Sequence, residues 1–200
     1  WSAKWIAADP EIIKRDPEAI TPTLTDCGTP ALFRREFDVP GEIKRATVYA
    51  SARGIFELRA NGQRVGKDVF APEWTDYDKR IHYRTYDVTA LLKPGRNALG
   101  AALGDGWWSG YVGWQETRAR YGSLENSLLV QLEIELDDGQ RLTLGTDGSW
   151  SCNTGPILFS DFMMGETYDA RRERIGWDTP EFVARHIIRA PGDGTIGEMQ

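Results

Sequence analysis

Carboxylates are the side chains of this sequence best placed to do bond-breaking chemistry. They stand in "WTDYDKR" (Asp76, Asp78), in "SDF" (Asp161) and in "GETYDARRE" (Glu166, Asp169). Two carboxyl groups on opposite sides of a glycosidic bond can hydrolyse it. One protonates the leaving oxygen and the other attacks or activates water. In "GETYDARRE", however, Arg171 and Arg172 follow closely on Glu166 and Asp169. That spacing favours a charge-paired clamp of Glu166, Tyr168, Asp169 and Arg171 over a catalytic pair. Other reaction signatures are missing: there is no GxSxG, no Walker loop, no GxGxxG after a strand and no HExxH. His82 and His186 are far apart, and His82, in an alternating run, is expected at an exposed position. Cys27 and Cys152 lack the close pairing of a metal site and read as two free thiols rather than one disulfide.

A second pattern concerns binding. "LGDGWWSGYVGW", Leu103 to Trp114, holds Trp107, Trp108 and Trp114 among glycines that rule out a long helix. Sugars offer flat C–H faces to indole rings and hydroxyls to Asp, Asn and Arg, so their sites mix aromatic platforms with polar groups on loops. "APEWTDYDKR" supplies Trp74, Asp76, Tyr77, Asp78 and Arg80, and the glycine-rich stretch supplies Asp105, Trp107, Trp108, Tyr111 and Trp114. The competing reading has these rings plugging the end of a sandwich or packing on a neighbouring domain, and residue types alone place it slightly ahead. Alternation assigns Trp107 to closing the sandwich and turns Trp108 and Trp114 outward. Calcium stays open as a ligand, since hard cations need several oxygens. No EF-hand loop is present, and Asp137-Asp138-Gly139 reads as a turn.

The elements that must carry these loops are strands. "LFRREFDV" puts Phe33, Phe37 and Val39 on one face, and "ATVYASA" does the same with Val48, Ala50 and Ala52. "GIFELRANGQRVG" is a hairpin closed at Asn61-Gly62, where both residues can take positive φ. "RIHYRTYDV" alternates, "NALGAALG" suits a strand buried on both faces, and "SLLVQLEIEL" turns through "DDGQ" into "RLTLGT". The one helical signal is "DVTALLKPG", a turn or two capped by Asp87 or Thr89 and ended by Pro94-Gly95. The spacing predicts an all-β jelly-roll β-sandwich over residues 31–185. Residues 1–30 read as an irregular N-terminal arm and residues 186–200 as the start of a linker.

Composition narrows the partners. A net charge of −6 opposes a nucleic-acid role, which needs a basic face. The local clusters Arg34-Arg35 and Arg171-Arg172 have acidic neighbours and read as salt-bridged surface. No apolar run approaches the ~18 residues of a membrane span. "WSAKWIAADPE" lacks a signal-peptide layout, and its start on Trp suggests a cut within a longer chain.

Taken together, several stretches resemble a known family. "AKWIAA", "LFRREFDV", "RATVYASARGIFELRANGQRVG", "FAPEWTDYDKRIHYRTYDVTALLKPGRNALGAALGDGWW" and "GETYDARRERIGWD" are similar, in order, to the N-terminal β-sandwich module of bacterial α-L-rhamnosidases, glycoside hydrolase family 78. The likeness runs from about Trp5 to Trp177. "NG" and "LKPGRN" recur in many galactose-binding-like jelly rolls, whereas "PEWTDYDKR…YDVT…GDGWW" with "GETYDAR" is far more specific. The resemblance implies a parent enzyme that releases terminal α-L-rhamnose by inversion, using an acidic pair in a downstream (α/α)6 barrel. It implies no catalytic residue and no required cofactor here, and the barrel of the same polypeptide as the partner. A subset of the family's sandwich modules binds L-rhamnose with calcium, so recognition of rhamnose-containing glycans is the alternative role. A self-sufficient hydrolase using Glu166 and Asp169 is the weakest reading.

Overall fold

A computed structural model describes residues 1–14, 18, 28–113 and 118–182, and the backbone of residues 188–189. The twelve strands are β1 (Ala31–Val39), β2 (Ile43–Arg53), β3 (Ile55–Ala60), β4 (Gln63–Arg64), β5 (Arg84–Asp87), β6 (Gly95–Gly104), β7 (Ser127–Leu136), β8 (Arg141–Gly145), β9 (Ser151–Thr154), β10 (Ile157–Asp161), β11 (Gly165–Tyr168) and β12 (Ile188–Arg189). They form a six-stranded sheet in the order β12-β9-β1-β6-β3-β4, a four-stranded sheet in the order β5-β2-β7-β8, and the hairpin β10-β11. The crossed order of antiparallel strands makes the expected jelly-roll sandwich.

Alternation explains which faces meet. Leu128, Val130, Leu132, Ile134 and Leu136 of β7 are all buried, as are Val48, Ala50 and Ala52 of β2. Facing them are Phe33, Val39, Leu58, Leu99, Ala101 and Leu103, with Trp150 fully buried beside them. The Trp150 indole Nε1 donates to the Gly145 carbonyl at 3.1 Å, so the large ring loses no hydrogen bond on burial. The hairpin at Asn61-Gly62 forms as expected, with φ of +48° and +82°, and β7 turns into β8 with Gly139 at φ +85°.

β6 is covered on both faces. A Cβ on Gly100 would lie 2.7 Å from the Trp177 ring, which rests on the outer face of the sheet. Arg59 holds this cover by donating to Asp178 at 2.5 Å, and Arg34 and Arg96 donate to the carbonyls of Thr179 and Pro180. The arginine clusters are ion-paired as expected, Arg34 with Glu36 and Arg35 with Asp147.

The helical signal at "DVTALLKPG" forms as a single 3₁₀ turn, Thr89–Leu91, with Asp87 Oδ1 accepting the Thr89 N–H at 2.9 Å and Pro94 stopping propagation. "RIHYRTYDV" becomes a strand only from Arg84, and His82, exposed, lies before it. The N-terminal arm is irregular, yet Ile6 is buried and exchanges two backbone hydrogen bonds with Leu128 at 2.8 and 2.9 Å. Cys152 is a buried free thiol, while Cys27, His186 and Trp114 lie outside the described residues. No helix among the described residues is long and apolar enough to cross a membrane.

Candidate functional site

The glycine-rich stretch leaves β6 at Gly104 and makes one helical turn, α1 (Gly106–Ser109). Glycine is needed at position 106: φ is +55°, and a Cβ would sit 2.5 Å from Ile55. Asp105, expected as a sugar ligand, is buried and occupied. Its carboxylate pairs with the Arg118 guanidinium and accepts from Asn126 Nδ2 at 2.7 Å, while Ser109 Oγ bonds Asn126 Oδ1. It ties three loop segments together.

The two adjacent indoles divide in the opposite sense to the expected one. Trp108 is the anchored ring. Its Nε1 donates to the Glu125 carbonyl at 2.9 Å, its edge meets Tyr77 at 5.1 Å, and it lies against Gly122, where a Cβ would come within 2.3 Å of the ring. Arg53 sits between Trp108 and Trp5, with ring distances of 5.4 and 5.0 Å, and its burial pulls the guanidinium pKa below the usual range. Trp107 turns the other way, into a cluster with Phe162 at 4.9 Å and Phe70 at 6.1 Å. Phe70 and Phe162 are exposed, as are Val69 and Met163 beside them in sequence. The reversal has a steric cause: one helical turn separates successive side chains by about 100°, and Gly122 leaves room for an indole on only one of the two sides.

The "APEWTDYDKR" loop is divided too. Trp74 is exposed and meets Tyr121, also exposed, at 5.9 Å. Asp78 is exposed, while Asp76 bonds Lys79 at 2.7 Å, which holds its carboxyl below the ordinary range. Tyr77 points inward, and burial pushes its phenol up to about 12. Its hydroxyl has no hydrogen-bond partner among the described residues. Tyr111 is fully buried with Leu158 and Phe159. Arg80 is exposed.

The clamp residues gather at the end of the β10-β11 hairpin. Asp169 accepts from Arg171 Nε at 2.8 Å and Nη2 at 2.7 Å, and these bonds lower its pKa to about 2. Arg172 also reaches Asp169, and both arginines reach Glu18 at 3.1 Å. Tyr168 donates to Glu173 at 2.7 Å, whereas Glu166 is exposed. Asp161, at the turn, accepts the backbone N–H groups of Tyr111, Met163 and Met164 at 2.8–2.9 Å. It binds the hairpin to the tryptophan loop. Among the described residues no three His, Cys, Asp or Glu side chains converge as metal ligands. Asp76, Asp105 and Asp169 are instead engaged by lysine, arginine and amide donors.

Sequence reasoning missed Val69, Phe70, Phe162 and Met163. Their signal was apolar residues in loops, weak until the fold brings three separate loops together. Val69, Phe70 and Phe162 border two shallow grooves of about 230 and 190 Å³, which share Ile55, Phe70 and Ser160. The site is thus an apolar, ring-rich edge of a β-sandwich, with its carboxylates mostly committed to the scaffold. A sequence model of the α-L-rhamnosidase N-terminal domain family matches residues 41–192. The chain belongs to that family. An α-L-rhamnosidase from Streptomyces avermitilis is 48% identical over 171 residues, which are 84% of this chain and 16% of that protein. The crystal structure of native α-L-rhamnosidase from Aspergillus terreus is 38% identical with a TM-score of 0.84, over 96% of this chain and 21% of that one. The crystal structure of S. avermitilis α-L-rhamnosidase complexed with L-rhamnose is 42% identical with a TM-score of 0.80, over 84% of this chain and 16% of that one. The chain therefore spans only 16–21% of these relatives.

Proposed function

We propose that this chain is a non-catalytic accessory module of an enzyme that hydrolyses terminal α-L-rhamnosides. It packs on and supports an (α/α)6 catalytic barrel carried elsewhere in the same polypeptide. The observation that carries this reading is the cluster of Phe70, Trp107 and Phe162 with exposed Val69 and Met163. Large apolar rings gathered on one surface mark an interaction face, and aromatic side chains are the residues that supply most of an interface's energy. The names and lengths of the relatives support this choice of partner: each is called an α-L-rhamnosidase, and each is several times longer than this chain. The commitment of Asp105, Asp161 and Asp169 to scaffold bonds supports a non-catalytic role.

The test uses the full-length protein. Replacing Trp107 and Phe162 together by Ala should lower the temperature at which hydrolysis of an aryl α-L-rhamnoside is irreversibly lost, while activity at 25 °C is largely kept. An unchanged inactivation temperature would sink the docking reading.

A second reading has one observation in its favour, the exposed Trp74–Tyr121 pair beside exposed Asp78. In that reading the module recognises L-rhamnose in glycans, with or without calcium. Titrating L-rhamnose with calcium and then with a chelator tests it, and heat lost on Trp74→Ala would support it.

A further inference from the structure

The outer face of the four-stranded sheet holds a trough of about 340 Å³ that shares no lining residue with the apolar grooves. Strand register sets its floor: Thr47 on β2 lies opposite Glu133 on β7, which lies opposite Thr143 on β8. Two residues further along, Arg45, Glu135 and Arg141 form a parallel row. On the other side the N-terminal arm crosses the sheet, held where the Ser2 N–H donates to Gln131 Oε1 at 2.7 Å. There Trp1 stands edge-on to Tyr49 at 6.0 Å and to Tyr83 at 5.6 Å, making an aromatic wall. Trp1 and Tyr83 are both more than half exposed, at 53% and 56%.

Much of a charged sheet face is cross-paired and solvated, and part of this one is. Glu135 bonds Lys44 at 2.7 Å and lies 3.9 Å from Arg141. The Arg45 guanidinium makes no side-chain hydrogen bond or close ion pair among the described residues, although its charge acts on Glu135 and Asp87 from further away. The carboxylate of exposed Glu133 accepts a single hydrogen bond among the described residues, from Gln131 Nε2 at 2.9 Å. A donor fork, a carboxylate and two threonine hydroxyls thus face one trough beside an aromatic wall.

We propose that this trough is a binding site for a neutral pyranose unit. The apolar face of the ring lies on Tyr49 and Trp1. Adjacent hydroxyls bridge Arg45 and Glu133, donating to the carboxylate and accepting from the guanidinium, and another reaches Thr47 or Thr143. Charge selects the ligand class: an anion would meet Glu133 and Glu135, a cation would meet Arg45 and Arg141, and a neutral polyol opposes neither. The site lies on different residues from both the docking cluster and the Trp74 loop, and it stands whether or not the module docks.

Isothermal titration of methyl α-L-rhamnopyranoside and methyl β-D-galactopyranoside into the full chain tests the proposal, with saturation-transfer NMR reporting which sugar protons touch protein. At least one sugar should bind saturably, with a dissociation constant in the millimolar range or tighter. Glu133→Ala and Trp1→Ala, both at exposed positions where the fold survives, should each weaken it at least about tenfold. Trp107→Ala should leave it unchanged. Three results would overturn the proposal: no saturable binding of either sugar, binding lost with Trp74→Ala but not Glu133→Ala, or a tenfold weakening on raising salt from about 50 to about 500 mM, which marks a charged ligand.

Discussion

Replacing each of the two adjacent indoles by alanine gives the sharpest test of how the tryptophan loop is built. Trp108→Ala removes a half-buried ring, its hydrogen bond to Glu125, its edge contact with Tyr77 and its cation–π contact with Arg53. If about 100 Å² of apolar surface returns to water, the loss is ~2.5 kcal/mol. The hydrogen bond adds ~1 kcal/mol, the aromatic pair ~1 kcal/mol and the cation–π contact ~0.5 kcal/mol. Residual burial in the unfolded chain trims such sums by roughly 10–40%, leaving ~3–4.5 kcal/mol. For a domain of this size that is a fall in Tm of roughly 6–18 °C. Trp107→Ala removes a ring whose neighbours Phe70 and Phe162 are themselves exposed, and its cost is ~1 kcal/mol, about 2–4 °C. Trp108→Phe keeps a ring and gives up the hydrogen bond, costing ~1–2 kcal/mol. Urea unfolding followed by circular dichroism measures all three. If Trp107→Ala costs as much as Trp108→Ala, the assignment of anchor and surface ring is wrong, and with it the docking face.

Three further outcomes follow from the same geometry. Asp105→Ala leaves the Arg118 charge buried against the loop and should cost ~3–5 kcal/mol; a loss that shrinks in 0.5 M salt would mean the pair is solvated rather than internal. Cys152 is buried, which pushes its thiol up to about 12. In a Cys27→Ser background it should therefore react with a thiol reagent at pH 8 only as fast as the domain unfolds, and rapid labelling of native protein contradicts this burial. The Asp169 carboxyl titrates below its unfolded value of 3.8, at about 2, because Arg171 binds the charged form. Its contribution to the hairpin end is thus complete above about pH 4 and lost as pH falls towards 2. A carboxyl NMR titration with a midpoint near 4 would refute the clamp.

Much of the scaffold was legible in local pattern. The period-two runs of β2 and β7 place their apolar side chains inward because alternation is a property of extended backbone, whatever the neighbours. The turns at Asn61-Gly62 and at Gly139 closed hairpins because positive φ is a local cost that Asn and Gly bear best. The helical turn at Thr89 was legible for the same reason, since Asp87 accepts the Thr89 N–H at its start and Pro94 ends it nearby in sequence. "GETYDARRE" became an Asp169–Arg171 clamp because residues so close in sequence find each other in any compact fold. Glu18 completed it from far away in sequence.

Residue types and spacing alone therefore determined the strand faces, the two hairpins, the family likeness and the Asp169–Arg171 ion pair. All of these rest on interactions within a few residues, or on a pattern preserved across the whole chain. Which indole is anchored, which carboxylate is spent on Arg118, and which loop residues join Phe70 and Phe162 were decided only by the tertiary structure. Each depends on space left by distant residues, such as the missing Cβ of Gly122 beneath Trp108. The trough beside Tyr49 likewise exists only because strand register sets Thr47, Glu133 and Thr143 in one row while the arm lays Trp1 across its end.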